Sequence, residues 1–449
     1  MPIRADSRLH TVSWGRVLGG LRAGGGPLGL LERIGARSQG ALTRLDLGTF
    51  RPFLVTHPDH LRHVLRDHGE NYRRGTAMWK ALGRLTGLGI TGEGPQWRAS
   101  REVWHRGLSG GAAHALADRM VPSVADAVAD LAVRAAAGAR VDSVAEMTRI
   151  VLRIINPVLF GSRIPQSQCD RLAAAVAVAF DSLLWRMAAP FVPLAVPMPG
   201  DRAFRRATAT VNEILLPLVR RARREGGGGP DLMSALLDGR DADGRPLADE
   251  QVVQDVVALF VAGSESSALT LTWAWVALAG NPEVAARVRR EADEVLGGGA
   301  ARPEHLRALV YTRQVVAEVC RLYAVAWAVP RTAAAGDVID GVRIPPGATL
   351  VISPYLTHRL PAFWERPLRF DPGRFTKDGV RGRHPLAYLP FGDGAHQCVG
   401  QSFFLQEAAL IIATMASRFD IAVPGRAEPR AAVALRPRER VDLVITPRR

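Results

Sequence analysis

Cysteine is scarce in this chain of 449 residues: Cys169, Cys320 and Cys398 are the whole set. Three scattered sulfurs exclude a disulfide framework and offer no zinc-ligand spacing, so a reducing cytoplasm is the expected compartment. Lysine is scarcer still, at Lys80 and Lys377 only. The formal charge of +15 therefore comes from dispersed arginines without a basic tail or recognition motif, and no nucleic-acid partner is expected. No uninterrupted apolar run is long enough to span a bilayer, and the most tempting stretch, Asp249 to Ala279, carries Glu265 at its centre. Met1-Pro2-Ile3-Arg4-Ala5-Asp6 lacks the apolar core of a signal peptide. A glycine fingerprint on a strand-to-helix turn, an iron–sulfur cysteine set and a flavin segment are missing too. Any redox chemistry would draw its electrons from outside.

What the chain does have is Phe391-Gly392-Asp393-Gly394-Ala395-His396-Gln397-Cys398-Val399-Gly400. Beyond it Phe403, Phe404, Leu405, Ala408, Leu410, Ile411, Ile412, Met415 and Phe419 recur at helical spacing, which puts Cys398 where unpaired backbone N–H groups point outward. Those donors and the positive helix end favour S⁻ over SH, as a metal-bound thiolate requires. Gly394 and Gly400 leave room for a flat cofactor or a tight turn, and Phe391 can shield the sulfur from water. The bland alternative is a buried free cysteine before a core helix.

The loop resembles the haem-binding loop of the cytochrome P-450 superfamily, Phe-x-x-Gly-x-(His or Arg)-x-Cys-x-Gly, at every specified position. Three more segments carry the resemblance in the family's order. Trp97-Arg98-Ala99-Ser100-Arg101 is similar to the C-helix Trp-x-x-x-Arg, and Glu318-Val319-Cys320-Arg321 to the K-helix Glu-x-x-Arg. Phe370-Asp371-Pro372-Gly373-Arg374-Phe375 supplies Arg374 as the third member of a buried triad, although the family usually has Glu at Gly373. The last is Ala262-Gly263-Ser264-Glu265-Ser266-Ser267, which matches the oxygen-handling motif with Ser266 where threonine is usual. A glycine and serine cluster in mid-helix is expected to bend or open that helix, since serine hydroxyls bond back to carbonyls.

The resemblance implies a mainly α (α+β) fold, a single large helical domain with small β-sheets over 45–449, behind an N-terminal arm and first helix at 1–44. It implies haem b with Cys398 as the axial ligand, and Trp97, Arg101, Arg331 and His396 as donors to its two propionates. Gly263, Glu265 and Ser266 would handle oxygen and protons. The chemistry implied is insertion of one atom of O2 into a C–H bond, with electrons from NAD(P)H through an external ferredoxin and ferredoxin reductase. Arg98, Arg106, Arg381 and Arg383 offer a basic face for such a partner. The pocket is expected around Ala262, Ala326 and Trp327, with a proline-broken loop from Leu183 to Met198. The only charges noted near it are Arg186 and the arginines about Arg73, so a small apolar substrate is expected, a terpenoid or polyketide intermediate of secondary metabolism. A monomer without a membrane span is expected. Phenol coupling, desaturation or peroxide use, and a haem sensor or redox carrier without turnover, remain open at this point.

Overall fold

The long apolar stretch folds as one helix, Asp249–Ala279, and every other element that positions the site is arranged around it. Asp249 and Glu250 sit in its first turn, where negative charge suits the positive helix end, and Gly280 closes it before the next helix begins at Pro282. The computed structural model describes residues 9–22, 26–136, 140–188, 192–193, 195–226, 228–299 and 301–448. Met1 to Asp6, Pro190 and Gly227 therefore lie outside the described residues. Among those described, this is the one helix long and apolar enough to cross a membrane. Two-thirds of its apolar window is buried inside the protein (67%), so that surface serves the core.

The helix runs unbroken through 262–267. The back-bonding expected there does occur: Ser264 Oγ donates to the Phe260 carbonyl at 2.7 Å and Ser266 Oγ to the Ala262 carbonyl at 2.6 Å. These bonds are added to the helical ladder and do not replace it. Gly263 faces the neighbouring helix Ser143–Phe160, since a Cβ at this position would lie 3.2 Å from Ile155 Cδ1. Its missing side chain lets the two helices close up.

Helix Gln401–Arg418, which follows Cys398, is buried almost throughout and packs on Gly110–Ala136. A six-stranded sheet orders His10–Val12, Thr43–Leu45, Phe53–Val55, Thr349–Ile352, Val329–Ala333 and Tyr72–Arg73. Within it Arg331 pairs with Leu350, which fixes the face on which its side chain projects. A C-terminal hairpin, Pro429–Ala431 against Leu435–Pro437, is tied to the centre by three bonds. Leu435 N–H donates to the Val325 carbonyl at 2.9 Å, Trp273 Nε1 to the Leu435 carbonyl at 3.0 Å, and Trp327 Nε1 to the Ala432 carbonyl at 2.8 Å.

Candidate active site

The Cys398 loop is held from two sides. Cys398 N–H donates to the Phe391 carbonyl at 2.8 Å, closing the turn, and Phe404 N–H donates to the Gly400 carbonyl at 2.8 Å, starting the helix. From outside, Arg66 grips both oxygens of Asp393 at 2.8 Å each. Cys398 is exposed, unlike the buried Cys169 and Cys320. Although the residue is accessible, desolvation by the protein packed around its sulfur pushes the thiol up, against the pull of the Gly400 and Gln401 N–H groups and the Arg101 charge. The donors foreseen at the helix end are there, but for the metal-free thiol desolvation outweighs them.

Gly394 adopts the turn conformation that glycine favours, and it also sits against a second backbone segment. Its φ is +69°, and a Cβ would sit 2.0 Å from the Leu65 carbonyl oxygen in the π-helical turn His63–Asp67. The close approach is to protein backbone. Gly394→Ala should therefore cost on the order of 3 kcal/mol, the left-handed strain plus a forced backbone shift. Gly382→Ala, at φ +73° with nothing within 4 Å, is the control. It should cost about 1 kcal/mol in the same urea titration.

The separated polar motifs meet at one edge of the loop. Trp97 packs on His396 with ring centroids 4.4 Å apart, and Arg101 lies within electrostatic reach of Cys398. Arg331 is buried, with its Nη1 donating to the Pro330 carbonyl at 3.1 Å. Two residues without a motif join them. Arg74 places its guanidinium over Trp79, 4.7 Å from the ring centroid, and Glu93 accepts from Arg74 N–H at 2.9 Å and pairs with His396 Nε2 at 3.1 Å. A cavity of about 700 Å³ opens here, lined by Leu65, Tyr72, Glu93, Trp97, Arg331 and His396 among others.

The triad assembles deep in the core. Arg321 and Glu318 pair through two bonds of 2.7 and 2.8 Å with both side chains inaccessible, and Arg374 Nε lies 3.4 Å from Glu318 Oε1. Arg383, read as part of the basic face, is instead packed over Trp364 at 4.2 Å and donates to the Arg374 carbonyl at 2.6 Å. Its stem and charge are spent on the fold. Arg98, Arg106 and Arg381 do remain exposed.

On the long helix Ala262 and Ser266 are exposed between half-buried or buried neighbours, and so is Ala326 in the segment after the Glu318 helix. Trp327 is half-buried and bonded to the C-terminal hairpin. Glu265 is paired with Arg436. Arg186 is taken as well: it bonds Asp201 and the Val192, Pro193 and Val196 carbonyls, stapling the described part of the proline-broken loop.

One acid escaped the motif reading. Glu407, in the Cys398 helix, is fully buried beside Ser267, and neither carboxyl oxygen has a hydrogen-bond partner of good geometry. Desolvation pushes its carboxyl up to about 8, and Ser267 only partly offsets this. A charged residue inside the apolar periodicity was the available signal. An acid with a raised folded value holds its proton more tightly when native, so its contribution is complete below the unfolded value of 4.5 and is lost as pH climbs toward 8. The Glu407 contribution should thus fall by a few kcal/mol across that window, so the stability of Glu407→Gln relative to wild type should rise with pH over the same range in pH-resolved thermal unfolding.

A sequence model of the family described as Cytochrome P450 matches residues 34–440. The chain belongs to the cytochrome P450 family. It is 33% identical over 409 residues to cyclooctat-9-en-7-ol 5-monooxygenase of Streptomyces melanosporofaciens, covering 89% of this chain and 86% of that protein. Pentalenene oxygenase of Streptomyces avermitilis is 28% identical over 405 residues, covering 90% of this chain and 89% of that protein. The crystal structure of the cytochrome P450DA heme domain shares the fold, with a TM-score of 0.87, 24% identity and coverage of 98% and 97%.

P450 membership implies monooxygenase chemistry and a haem held by a cysteine thiolate. The cage fits such a group. Arg74, Arg101 and Arg331 crowd a region in which Glu93 is the carboxylate acting on Arg74 and Arg331, and burial drives Arg74 down to about 9 and Arg331 down to about 10. Buried Arg74 Nε and His396 Nδ1 also have no partner. Uncompensated positive charge and orphaned buried nitrogens are what two propionates would satisfy.

Proposed function

We propose that this P450 inserts one oxygen atom from O2 into a C–H bond of a compact apolar substrate of terpenoid type, with NAD(P)H electrons delivered by a separate ferredoxin and its reductase. The carrying observation is electrostatic. Two charged side chains noted in the expected pocket elements, Arg186 and Glu265, are neutralised by Asp201 and Arg436. A carboxylate or amine on the substrate would find no free partner in either. Ala262 and Ala326 leave open apolar space, and Trp327 supplies a broad wall. Two relatives named for oxidising terpenoid skeletons support the class.

In this reading Cys398 would supply the thiolate to the haem iron, and Trp97, Arg101, Arg331, His396 and Arg74 would hold the propionates. Phe391 packs toward Phe404, centroids 6.1 Å apart, and shields the sulfur side. When bound, the haem supplies oxygen activation, with the thiolate pushing electron density toward O–O cleavage. The chain's own residues orient the substrate and meter protons. Glu265 is the proton-handling acid, and the accessible Ser266 hydroxyl is the next donor and acceptor.

The test is turnover of cyclic terpene hydrocarbons with a surrogate ferredoxin and reductase. Substrate-dependent consumption of NADPH with a product heavier by one oxygen is expected. Products lacking added oxygen would sink the monooxygenation, and a preference for charged or aromatic polar compounds would sink the substrate class. Electron transfer unchanged in Arg98→Glu plus Arg106→Glu would remove support for the docking face.

A further inference from the structure

We propose that Arg436 is a positioning residue for Glu265, tying the orientation of the proton-handling acid to the hairpin that walls the substrate pocket. The idea rests on the proton-handling reading of Glu265 given above and adds what controls that acid.

Arg436 belongs to strand Leu435–Pro437, opposite Arg430 in the hairpin. Both its Nε, at 3.2 Å, and its Nη2 donate to the same oxygen, Glu265 Oε1. That leaves Oε2 without a bond to the guanidinium, free to accept or pass on a proton next to Ser266. Among the described residues this is the one ion pair that either side chain makes. Glu265 is therefore aimed by a single partner from another element.

The same hairpin is bonded to the pocket wall. Leu435 N–H holds the Val325 carbonyl, and Trp327 Nε1 holds the Ala432 carbonyl, so bonds from the hairpin flank the open Ala326 on both sides. Trp273 Nε1, on the long helix two turns beyond Glu265, donates to the Leu435 carbonyl at 3.0 Å. An occupant pressing on Ala326 or Trp327 pushes on the strand that carries Arg436. The carboxylate then turns or is released with the hairpin, whereas a solvent-facing acid would be indifferent to the pocket.

The experiment uses haem-loaded protein with a surrogate ferredoxin and reductase and no added substrate, so that no ligand has to be known. Arg436→Gln is expected to slow NADPH oxidation on the order of tenfold and to raise its solvent deuterium isotope effect, as loss of one charge-assisted bond would. Glu265→Gln should do the same, the double variant should be no slower than the slower single, and Arg436→Lys should recover part of the rate. Hydrogen exchange, which needs no turnover, should rise in 429–437 for both single variants while the melting temperature stays near wild type. If Glu265→Gln leaves the isotope effect unchanged, the acid itself has been misassigned. If Glu265→Gln changes it and Arg436→Gln does not, or if the two effects multiply, Arg436 does not position Glu265. A rise in exchange with no change in isotope effect makes Arg436 merely structural and overturns the proposal.

Discussion

Cys398→Ala is expected to abolish oxygenase turnover and the thiolate-type band of the reduced carbon monoxide complex, whereas Cys320→Ala keeps both. The reason lies in the surroundings of three sulfurs. Cys169 and Cys320 are buried, and desolvation pushes their thiols up to about 12. Neither can present a thiolate at neutral pH. Cys398 alone is open, receives two backbone N–H groups from the start of Gln401–Arg418 and feels the Arg101 charge. These do not outweigh its desolvation in the metal-free chain, so deprotonation is expected to accompany loading of the metal. Substitution should leave the surrounding protein folded, because Cys398 is held through its backbone bond to Phe391. A carbon monoxide band near the usual thiolate position in Cys398→Ala would show that another side chain is the ligand.

Much of this site was legible because its chemistry is written in short spacings. Glu318 and Arg321 share a helix face by being three apart, and the limits of the long helix follow from Asp249, Gly280 and Pro282. What was hidden depends on partners brought from far along the chain. Glu93 meets His396 across 303 positions and Arg436 meets Glu265 across 171, distances over which no periodicity survives. Arg74 is one of several arginines in its stretch, and only burial beside Arg331 sets it apart. The packing contacts of Gly263 with Ile155 and of Gly394 with the Leu65 carbonyl were hidden for a similar reason: a missing Cβ marks a close approach, but what approaches is tertiary. Arg383 looked like surface charge and is a packing residue, since a guanidinium lies as well on Trp364 as in water.

Removing either member of the buried pair should be the most damaging change remote from the cofactor. Arg321 has five N–H groups and five acceptors: Glu318 Oε2 at 2.7 Å, Glu318 Oε1 at 2.8 Å, and the carbonyls of His358, Pro367 and Arg369 at 2.8, 2.8 and 3.2 Å. Glu318 Oε1 in turn accepts from Asp371 N–H at 2.9 Å. Glu318→Ala strands a buried guanidinium and Arg321→Ala strands a buried carboxylate with three carbonyls, so each should cost about 3–5 kcal/mol in urea unfolding. Arg374→Ala, losing one 3.4 Å contact while Glu318 keeps its two bonds to Arg321, should cost less than either of these, about 1–2 kcal/mol. The double variant Glu318→Ala plus Arg321→Ala should cost clearly less than the two singles added, because no lone charge is left behind. The damage should also reach the cofactor. His358, buried and driven down to about 3 by desolvation, is neutral: its Nδ1–H donates to the Arg321 carbonyl at 2.9 Å and its Nε2 accepts from Leu389 N–H at 2.9 Å. Leu389 lies two residues before Phe391, so the triad helix is bonded to the Cys398 loop through one imidazole. Haem retention after gel filtration should fall in Glu318→Ala and Arg321→Ala and hold in Arg374→Ala. Equal retention in all three would mean that the pair stabilises the core without positioning the loop.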